Sequence, residues 1–465
     1  MKKKLLCGVI MAAVITLCTV HTQNVYTIDK NIEIPANPEV EMINVPVIKW
    51  DKAKNGTYRV YRSDRWNGKY KCVAKDITDA SFIDRSANEG KTYYYRIRST
   101  KLCSNGKRKY GEWTNIIKVK QSETDNELSI ENVSGDLYFK WSNYDETCTY
   151  SLWKSDSYNG TYNCVKDGIK SDSYKLDSDM TSEVAYYKVA PYKKISGKRR
   201  YGNLSNMCRN NMDVTVVLFS GQSNMAGRGE NKRLAPVLEK NVAFEYRAVT
   251  DPGNLYYLEE PFGVNENRTD GINDVYPNGI PRKSGGMVSM VCKTYFENTG
   301  IPIVGVSASQ SSTALAKFLP GTPIYNDTEE RLSSCLEYLR ENGYNIKHIY
   351  MVWCQGESDS NTDIEKYEEG VKSIVEGFRT DFGLEMCFIS LVGPSVNSTH
   401  GNVSYAQRDL SMNYPYCTVA SGAAEYFLEQ GLLKGDGIHY KQQAYNIVGK
   451  QVGYVMAAYT NNRWF

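Results

Sequence analysis

The sequence predicts a multidomain protein in which two β-sandwich modules precede an α/β domain built on a parallel sheet. Three observations support this prediction. A block of sequence is repeated in the first half, a segment that follows the repeat is apolar and rich in β-branched residues, and a segment near the end has helical spacing. With 465 residues and 41% hydrophobic content, the chain is long enough for about three domains with proper cores.

The repeat lies before the α/β domain. The block Val60–Val73 returns 92 residues later as Leu152–Val165, and both copies contain Ser-Asp, Asn-Gly and Cys-Val in register. Short alternating strands separated by Asn, Gly, Asp and Ser turns, at this repeat length, are typical of β-sandwiches. The two modules, predicted over residues 46–122 and 126–210, resemble fibronectin type III modules, and residues 21–45 are predicted to be a linker.

Aromatic residues stand beside the Asn-Gly turns of both modules. Trp66 and Tyr158 are placed where they can stack on sugar rings, but the favoured interpretation is that they fill a core or brace a hairpin. We therefore expect the modules to act as spacers, with attachment to a cell wall or polysaccharide as the alternative.

Residues 1–20 have the pattern of a secretory signal peptide. Lys2–Lys4 precede the apolar run Leu5–Val20, and we find no later apolar run long enough to span a bilayer. A signal anchor is the alternative. We expect the protein to be secreted, either extracellular or held at the cell surface.

Charge and cysteine usage give no support for several classes of partner. The net charge of +3, from 56 basic and 53 acidic residues, shows no bias that favours nucleic acid. The 12 cysteines lack the paired C-x-x-C spacing of metal sites, so we expect no metal and no cofactor. Cys292, Cys335 and Cys387 lie in apolar patterns and are expected to be buried free thiols.

The apolar strand Val214–Phe219 ends in a glycine-flanked turn that presents Ser223. A continuous apolar strand of this kind is expected in a parallel sheet covered by helices, where chemistry takes place at the carboxyl ends of the strands. Gln222 and Asn224 add polar side chains beside the hydroxyl. Ser223 is the leading candidate for a nucleophile, and a plain strand-to-helix turn is the alternative.

A serine nucleophile needs a base, and the base needs an acid that orients it. Asp436 and His439, three residues apart just before the helical segment Lys441–Ala457, can supply both. Among the four histidines, only His400 competes with His439. A helix-entry turn with Asp436 as its cap is the alternative.

A second apolar strand, Ile349–Trp353, leads into a polar loop at the same rim of the predicted sheet. Gln355 can donate through its amide to an oxyanion, and Glu357 or Asp359 can bind sugar hydroxyls or support the site. Capping of the next helix is an alternative for both acids. Exposed backbone amides at Gly285, just before another predicted helix, also suit an oxyanion.

Three blocks of this sequence, Gly221–Gly227, Trp353–Asp359 and Asp436–His439, resemble the signature blocks of the SGNH hydrolases. More narrowly, they resemble the sialate O-acetylesterase domain and the acetylxylan esterases of carbohydrate esterase family six. The resemblance implies a three-layer α/β/α flavodoxin-like domain over residues 213–465. It also implies metal-independent removal of acetyl groups from sugar hydroxyls.

Carried over by position, the resemblance implies that Ser223 is the nucleophile, His439 the base and Asp436 its orienting acid. It also implies that Gln355 is an oxyanion-hole side chain and that Gly285 matches the glycine of a further block. Together with the residue-based reasoning, this predicts an oxyanion hole made by Ser223, Gly285 and Gln355.

One departure concerns the residues after that glycine. Many relatives have Pro-Glu there, whereas this chain has Gly286-Met287. The substrates of those relatives are therefore weaker evidence for the substrate of this chain. We expect a secreted carbohydrate O-acetylesterase whose partner is an acetylated glycan, of the sialic acid or xylan-like kind. The alternatives are a non-catalytic glycan-binding or adhesion protein with a degenerate hydrolase domain, and an SGNH esterase or lipase acting on non-sugar esters.

Overall fold

The computed structural model describes residues 28–54, 56–88, 90–121 and 126–462. The predicted signal peptide, residues 1–20, lies outside the described residues, as does the start of the predicted linker. The chain forms two compact units, Met1–Thr124 and Asp125–Phe465. The finer boundaries inferred from the sequence, including the one at residue 213, stay predictions.

The first unit consists of antiparallel strands. Its described residues form β1 (Ala36–Met42), β2 (Pro46–Asp51), β3 (Thr57–Ser63), β4 (Lys71–Ile77), β5 (Ser81–Ile83), β6 (Thr92–Leu102), β7 (Arg108–Tyr110) and β8 (Ile117–Lys120). They pair into two sheets, β1-β2-β5 and β4-β3-β6-β7, with β8 added to β6. Tyr58 and Val60 of β3 are buried while Arg59 between them is not, which is the alternation of a strand with one face in a core.

The second unit begins with a similar set of strands. These are β9 (Leu128–Val133), β10 (Asp136–Trp141), β11 (Thr149–Ser155), β12 (Asn163–Ile169), β13 (Ser173–Lys175), β14 (Tyr186–Ile195), β15 (Lys198–Tyr201) and β16 (Cys208–Arg209), with the short helix α1 (Ser178–Thr181) before β14. They form the sheets β13-β10-β9 and β12-β11-β14-β15, with β16 on β14. The sheets of both regions are consistent with fibronectin type III-like modules.

The rest of the second unit is an α/β domain. Its strands are β17 (Asp213–Gly221), β18 (Ala243–Tyr246), β19 (Leu255–Tyr257), β20 (Ile303–Ser309), β21 (Asn345–Cys354), β22 (Met386–Ser390) and β23 (Cys417–Ser421). Its helices are α2 (Ser223–Ala226), α3 (Val288–Thr299), α4 (Pro323–Glu341), α5 (Ile364–Phe382), α6 (Gly401–Asn413) and α7 (Gln442–Thr460), and 3-10 turns cover Lys232–Leu234, Leu315–Lys317, Glu357–Asp359 and Ala423–Tyr426.

The seven strands of this domain form one sheet in the order β19-β18-β20-β17-β21-β22-β23. Every neighbouring pair is parallel except β18 and β19, which are antiparallel at the edge. The sequence predicted a parallel sheet. The observed sheet is mixed, because its edge strand β19 is antiparallel. The physical reason is the short connection between β18 and β19, because a hairpin can join only antiparallel strands.

β17 lies in the middle of the sheet and is buried on both faces. Val216 and Leu218 belong to the core that contains residues of α4, α5 and α6, whereas Val217 and Phe219 belong to the core with α3 and α7. The sheet thus lies between two layers of helices. This explains why the sequence of β17 is apolar at successive positions instead of alternating.

The β-sandwich strands of the second unit pack directly on its α/β domain. The ring of Tyr158 meets Phe296 of α3 edge-on at 5.4 Å, and Asn241 Nδ2 donates to the Leu128 carbonyl at 3.0 Å. Tyr158 is therefore engaged inside the protein and is not a free platform for a sugar ring. Trp66 in the first unit, in contrast, is 64% exposed.

The cysteines agree with the sequence prediction. All ten described cysteines are free thiols, and Cys292, Cys335 and Cys387 are buried. Within the described ranges, no group of three or more His, Cys, Asp and Glu side chains is placed to hold a metal ion. No helix in the same part of the chain has the length and apolar character needed to cross a membrane.

Gly221 generates the first testable prediction. Its φ is +139°, and a Cβ there would lie 2.1 Å from the backbone oxygen of Cys354. Gly221→Ala should lower the free energy of unfolding by more than the roughly 1–3 kcal/mol that an unfavourable φ alone costs, because β21 cannot move aside. Gly383→Ala is the control, since Gly383 also has a positive φ, +73°, but open space around it. Urea unfolding followed by circular dichroism measures both, and equal losses would contradict the prediction.

Candidate active site

Ser223 lies at the carboxyl edge of the sheet, directly after β17. The strand is flanked by β20 on one side and β21 on the other, both parallel to it. After β17 the chain forms β18 to β20 on one side of that strand and then β21 to β23 on its other side. Such a change of direction creates a crevice at the carboxyl end of the central strand. Ser223 opens the short helix α2 in this crevice and is 4% exposed.

The structure brings Ser223, His439 and Asp436 together, although Ser223 and His439 are 216 residues apart. Ser223 Oγ lies 2.9 Å from His439 Nε2, and His439 Nδ1 lies 2.9 Å from Asp436 Oδ2. Asp436 Oδ1 also accepts hydrogen bonds from the backbone N–H groups of Ile438 and His439, at 3.1 and 2.9 Å. The carboxylate is therefore held in place against the imidazole ring.

These contacts determine the charge of Asp436. Partial burial acts to raise the pKa of its carboxyl group, but the hydrogen bonds from His439 and Ile438 outweigh it and lower the pKa to about 2. Asp436 is therefore ionised at neutral pH and is an acceptor for a proton on His439 Nδ1. This arrangement selects the tautomer in which Nε2 can accept a proton from Ser223.

His400, the competing histidine, lies elsewhere. Its Nδ1 is 2.6 Å from Ser360 Oγ and its Nε2 is 3.2 Å from Ser395 Oγ, so both ring nitrogens are engaged away from Ser223. Burial lowers the pKa of His400. His439 is thus the histidine that meets the candidate nucleophile.

Asn224 is fully buried behind Ser223 and uses its whole amide. Its Nδ2 donates to Glu357 Oε1 at 2.5 Å and to the Ile438 carbonyl at 3.3 Å. Its Oδ1 accepts from the Tyr445 hydroxyl at 2.8 Å and from the Tyr440 N–H at 3.4 Å. Asn224 therefore supports the loops around Ser223 and His439 and has no amide atom free for substrate.

Glu357 and Asp359 lie in the loop after β21, and neither caps the next helix. The cap of α5 is Asp363, whose side chain accepts from the Lys366 N–H. Asp359 is buried and accepts from the Leu315 N–H at 2.9 Å, so it supports the loop from within. Glu357 Oε2 is buried and has no hydrogen-bond partner among the described residues.

Gln355 and Gln222 form an internal network instead of facing the crevice. The two N–H bonds of Gln355 Nε2 face three acceptors: Gln222 Oε1 at 3.2 Å, the Thr313 carbonyl at 3.2 Å and the Asp359 carboxylate. Gln355 is 1% exposed, and its Oε1 accepts from Tyr367. The prediction that Gln355 donates to an oxyanion disagrees with this geometry, because its donors are already used inside the protein.

Gly285 lies beside the turn that follows Ser223. The Ser284 N–H donates to the Gly227 carbonyl at 3.1 Å, and the Gly229 N–H donates to the Gly285 carbonyl at 2.8 Å. The Ser223 N–H makes no hydrogen bond to any described residue, whereas the Gly285 backbone forms an isolated antiparallel bridge with Gly229. The Ser223 N–H remains available for an acceptor such as an oxyanion.

Two charged residues at this edge were missed by sequence reasoning. Arg228 pairs with Asp274, Nη2 to Oδ2 at 3.0 Å, and both side chains are almost fully buried. Glu260 accepts from the Ser289 N–H at 3.2 Å and lies against Gly286. An arginine between two glycines of the serine turn was an available signal for Arg228, whereas no motif surrounds Glu260.

The burial of Glu357 leads to a pH-dependent prediction. Burial raises the pKa of Glu357 above its ordinary value of 4.5, although Asn224 acts to lower it. The folded state therefore keeps a proton that the unfolded state has lost, so the stability of the wild type falls as pH rises from the unfolded-state pKa to the folded-state pKa. Glu357→Gln mimics the protonated acid and removes this loss.

We expect the free energy of unfolding of Glu357→Gln to rise relative to wild type between about pH 4 and about pH 7. Urea unfolding at the two pH values measures the difference. Glu365→Gln, which removes an exposed carboxylate on α5, is the matched control. A constant difference between Glu357→Gln and wild type would contradict the prediction.

Comparisons with known proteins agree with the resemblance of the three sequence blocks. The family model described as carbohydrate esterase, sialic acid-specific acetylesterase, matches residues 213–458, more than half of the chain. No curated protein matches the chain.

Several solved structures are similar to parts of the chain. A protein from Arabidopsis thaliana is 21% identical over 55% of this chain and 100% of its own, with a TM-score of 0.41. A carbohydrate acetylesterase from Xanthomonas citri is 12% identical over 72% of this chain and 76% of its own, with a TM-score of 0.34. A segment of two fibronectin type III domains from chicken tenascin is 17% identical over 38% of this chain and 100% of its own, with a TM-score of 0.16.

The match over residues 213–458 confirms the predicted resemblance: this chain belongs to the carbohydrate esterase family of sialic acid-specific acetylesterases.

Proposed function

We propose that this protein is a secreted, serine-dependent esterase that removes acetyl groups from sugars through an acyl-enzyme. The observation that carries the proposal is the hydrogen-bonded series of Ser223, His439 and Asp436, with both joining distances at 2.9 Å. A nucleophile within reach of a base, and a base oriented by an ionised acid, are the arrangement that acyl transfer by serine requires.

In the first half of the proposed reaction, Ser223 Oγ attacks the acetyl carbonyl carbon while His439 Nε2 takes the hydroxyl proton. Asp436 stabilises the positive charge that develops on the imidazole. His439 then gives the proton to the departing sugar oxygen, which leaves the acetyl group on Ser223. In the second half, water repeats the attack with His439 again as the base, and acetate is released.

The negative charge on the carbonyl oxygen needs donors at the moment of attack. We assign this role to the N–H group of Ser223, which makes no hydrogen bond to a described residue, and retain the N–H group of Gly285 as the second donor that the sequence predicts. Gln355 is a positioning residue in this scheme, because its amide holds Gln222 and Asp359 together inside the loop.

We infer the substrate class from the family. We infer the cellular location from the predicted signal peptide, residues 1–20. The family description names sialic acid, so an O-acetylated sialic acid is the substrate we favour, with acetylated xylan as the second. Secretion is supported by Lys2–Lys4 and the apolar run Leu5–Val20 of the sequence.

We extend the proposal to the β-sandwich region, which we infer to consist of two fibronectin type III-like modules. Attachment to a polysaccharide is supported by Trp66 of the first unit, which lies with Tyr94 and Lys118 around a surface groove. An aromatic ring with this exposure can cover the apolar face of a sugar.

Replacing the nucleophile tests the reaction directly. Ser223→Ala should lower kcat for hydrolysis of p-nitrophenyl acetate by roughly 10⁴–10⁶-fold, because no other group in the site can form the acyl-enzyme. Ser358→Ala, an exposed serine of the loop after β21, is the matched control and should keep wild-type turnover. Near-normal turnover by Ser223→Ala would contradict the proposal, and an inactive wild type that still binds glycans would support the binding-protein alternative.

The choice of substrate is tested by direct competition. We expect acetate release from O-acetylated sialic acids to exceed that from acetylated xylan, with little hydrolysis of a long-chain ester such as p-nitrophenyl palmitate. Acetate release and p-nitrophenol absorbance measure the three reactions at equal ester concentration. Preference for the long-chain ester would favour a lipase instead.

A further inference from the structure

A groove of about 510 Å³ lies on the surface of the first unit, between the turn after β3 and the strands β6 and β8. The side chains used in the argument below belong to its lining: Trp66, Tyr94, Arg96, Ile116 and Lys118. Two of them are cations, and none of the lining residues is acidic. The groove therefore combines aromatic surface with positive charge.

Arg96 presents free N–H groups at this groove. The rings of Tyr70 and Trp113 lie against its guanidinium, with their centroids 4.2 and 4.0 Å from Cζ, and hold its orientation. Its Nε is enclosed, whereas Nη1 and Nη2 are neither enclosed nor hydrogen-bonded to a described residue. Burial lowers the pKa of Arg96, Arg98 acts in the same direction, and no carboxylate of the described residues acts against them. The charge of Arg96 is therefore unmatched among the described residues.

The repeat provides a second copy of this face, in the second unit. Ser63 pairs with Tyr94 in the first copy, as Ser155 pairs with Tyr186 in the second, and β8 lies beside β6 as β16 lies beside β14. The two copies can therefore be compared residue by residue. In the order of the lining given above, the counterparts are Tyr158, Tyr186, Lys188, Met207 and Arg209.

In the second copy this face is occupied by the α/β domain. The counterpart tyrosine, Tyr158, packs edge-on against Phe296 of α3, with the ring centroids 5.4 Å apart. The counterpart lysine, Lys188, pairs with Glu239, Nζ to Oε1 at 3.2 Å. The occupied face thus meets both an apolar surface and a carboxylate. In the first copy, Trp66 is 64% exposed and the corresponding positions line an open groove.

We propose that the groove of the first unit binds an acidic glycan, with one sugar ring on Trp66 and the carboxylate of that sugar at Arg96. A sugar acid fits because a single residue of it carries both complements, an apolar C–H face and a carboxylate. An exposed aromatic ring covers the first, and a guanidinium binds the second through charge-assisted hydrogen bonds. Lys118 adds a second positive charge. The volume of the groove lies within the roughly 300–1,000 Å³ of sites that hold small organic ligands.

The two copies differ in a way that suits such a ligand. Trp66 stands where the second copy has Tyr158, and an indole offers the larger π surface for stacking. Arg96 stands where the second copy has Lys188, and a planar guanidinium matches a carboxylate with two parallel N–H groups, which an ammonium does not. This binding rests on the proposed attachment to a polysaccharide and specifies its chemical class, to which sialic acid, the sugar that the family description names, also belongs.

Isothermal titration of the full chain with α-2,8-linked trisialic acid, trigalacturonate and neutral xylotriose tests the proposal. We expect saturable binding of an acidic probe, tighter than that of xylotriose by about tenfold or more, and the tighter acidic probe identifies sialic or uronic acid as the source. Trp66→Ala and Arg96→Gln should each weaken this binding by about tenfold or more, while both keep hydrolysis of p-nitrophenyl acetate. Trp66→Ala removes an exposed ring, so it tests the site even where Arg96→Gln fails to fold.

Two controls locate the binding. Lys101→Gln removes an exposed cation from β6, and Tyr454→Ala removes an exposed ring from α7, so both should bind as wild type does. Unchanged affinity in both Trp66→Ala and Arg96→Gln would overturn the proposal.

The remaining outcomes separate this proposal from the others. Equal binding of xylotriose and the acidic probes would overturn the assigned ligand class and leave the attachment to a polysaccharide in place, whereas no binding of any probe would overturn both. Self-association of the chain that Trp66→Ala abolishes would overturn the glycan and assign the face to a second copy. Hydrolysis of p-nitrophenyl acetate is measured separately, so the esterase proposal is tested independently of this binding.

Discussion

The active edge of the second unit depends on the buried amide of Asn224. This side chain bonds the backbone on both sides of His439, through the Ile438 carbonyl and the Tyr440 N–H, and it also bonds Glu357 from the loop after β21. Because Asn224 directly follows Ser223, these bonds set the position of the imidazole relative to the hydroxyl. A buried amide with all its partners in place holds one geometry, since any displacement leaves a polar group unpaired.

The loop after β21 is held from inside the domain by a second polar network. Gln355 joins Gln222, Thr313 and Asp359, and Gln407 donates to the Gln355 carbonyl at 2.8 Å. Two glutamines of the sequence blocks are thus used to keep the crevice rigid. The Ser223 N–H is left as a donor at the candidate site, and a backbone donor needs no side-chain rearrangement to meet an acceptor.

The β-sandwich strands of the second unit pack directly against its α/β domain. Tyr158 packs on Phe296, and Asn241 bonds the Leu128 carbonyl, so the two parts form one compact unit. The expectation that the modules act as spacers stays a prediction. The same junction contains a cavity that is lined by residues of both parts.

The sequence by itself determined the repeat, the central strand β17, the helix α7 and the three blocks that identify the family, because each depends on local pattern or spacing. The 2.9 Å contact between Ser223 and His439, the inward direction of the Gln355 amide and the antiparallel edge strand β19 were decided only by the tertiary structure. Each of these depends on which distant atoms lie within about 3 Å of a polar group. Residue type and spacing along the chain do not contain that information, since it arises when separate segments pack together.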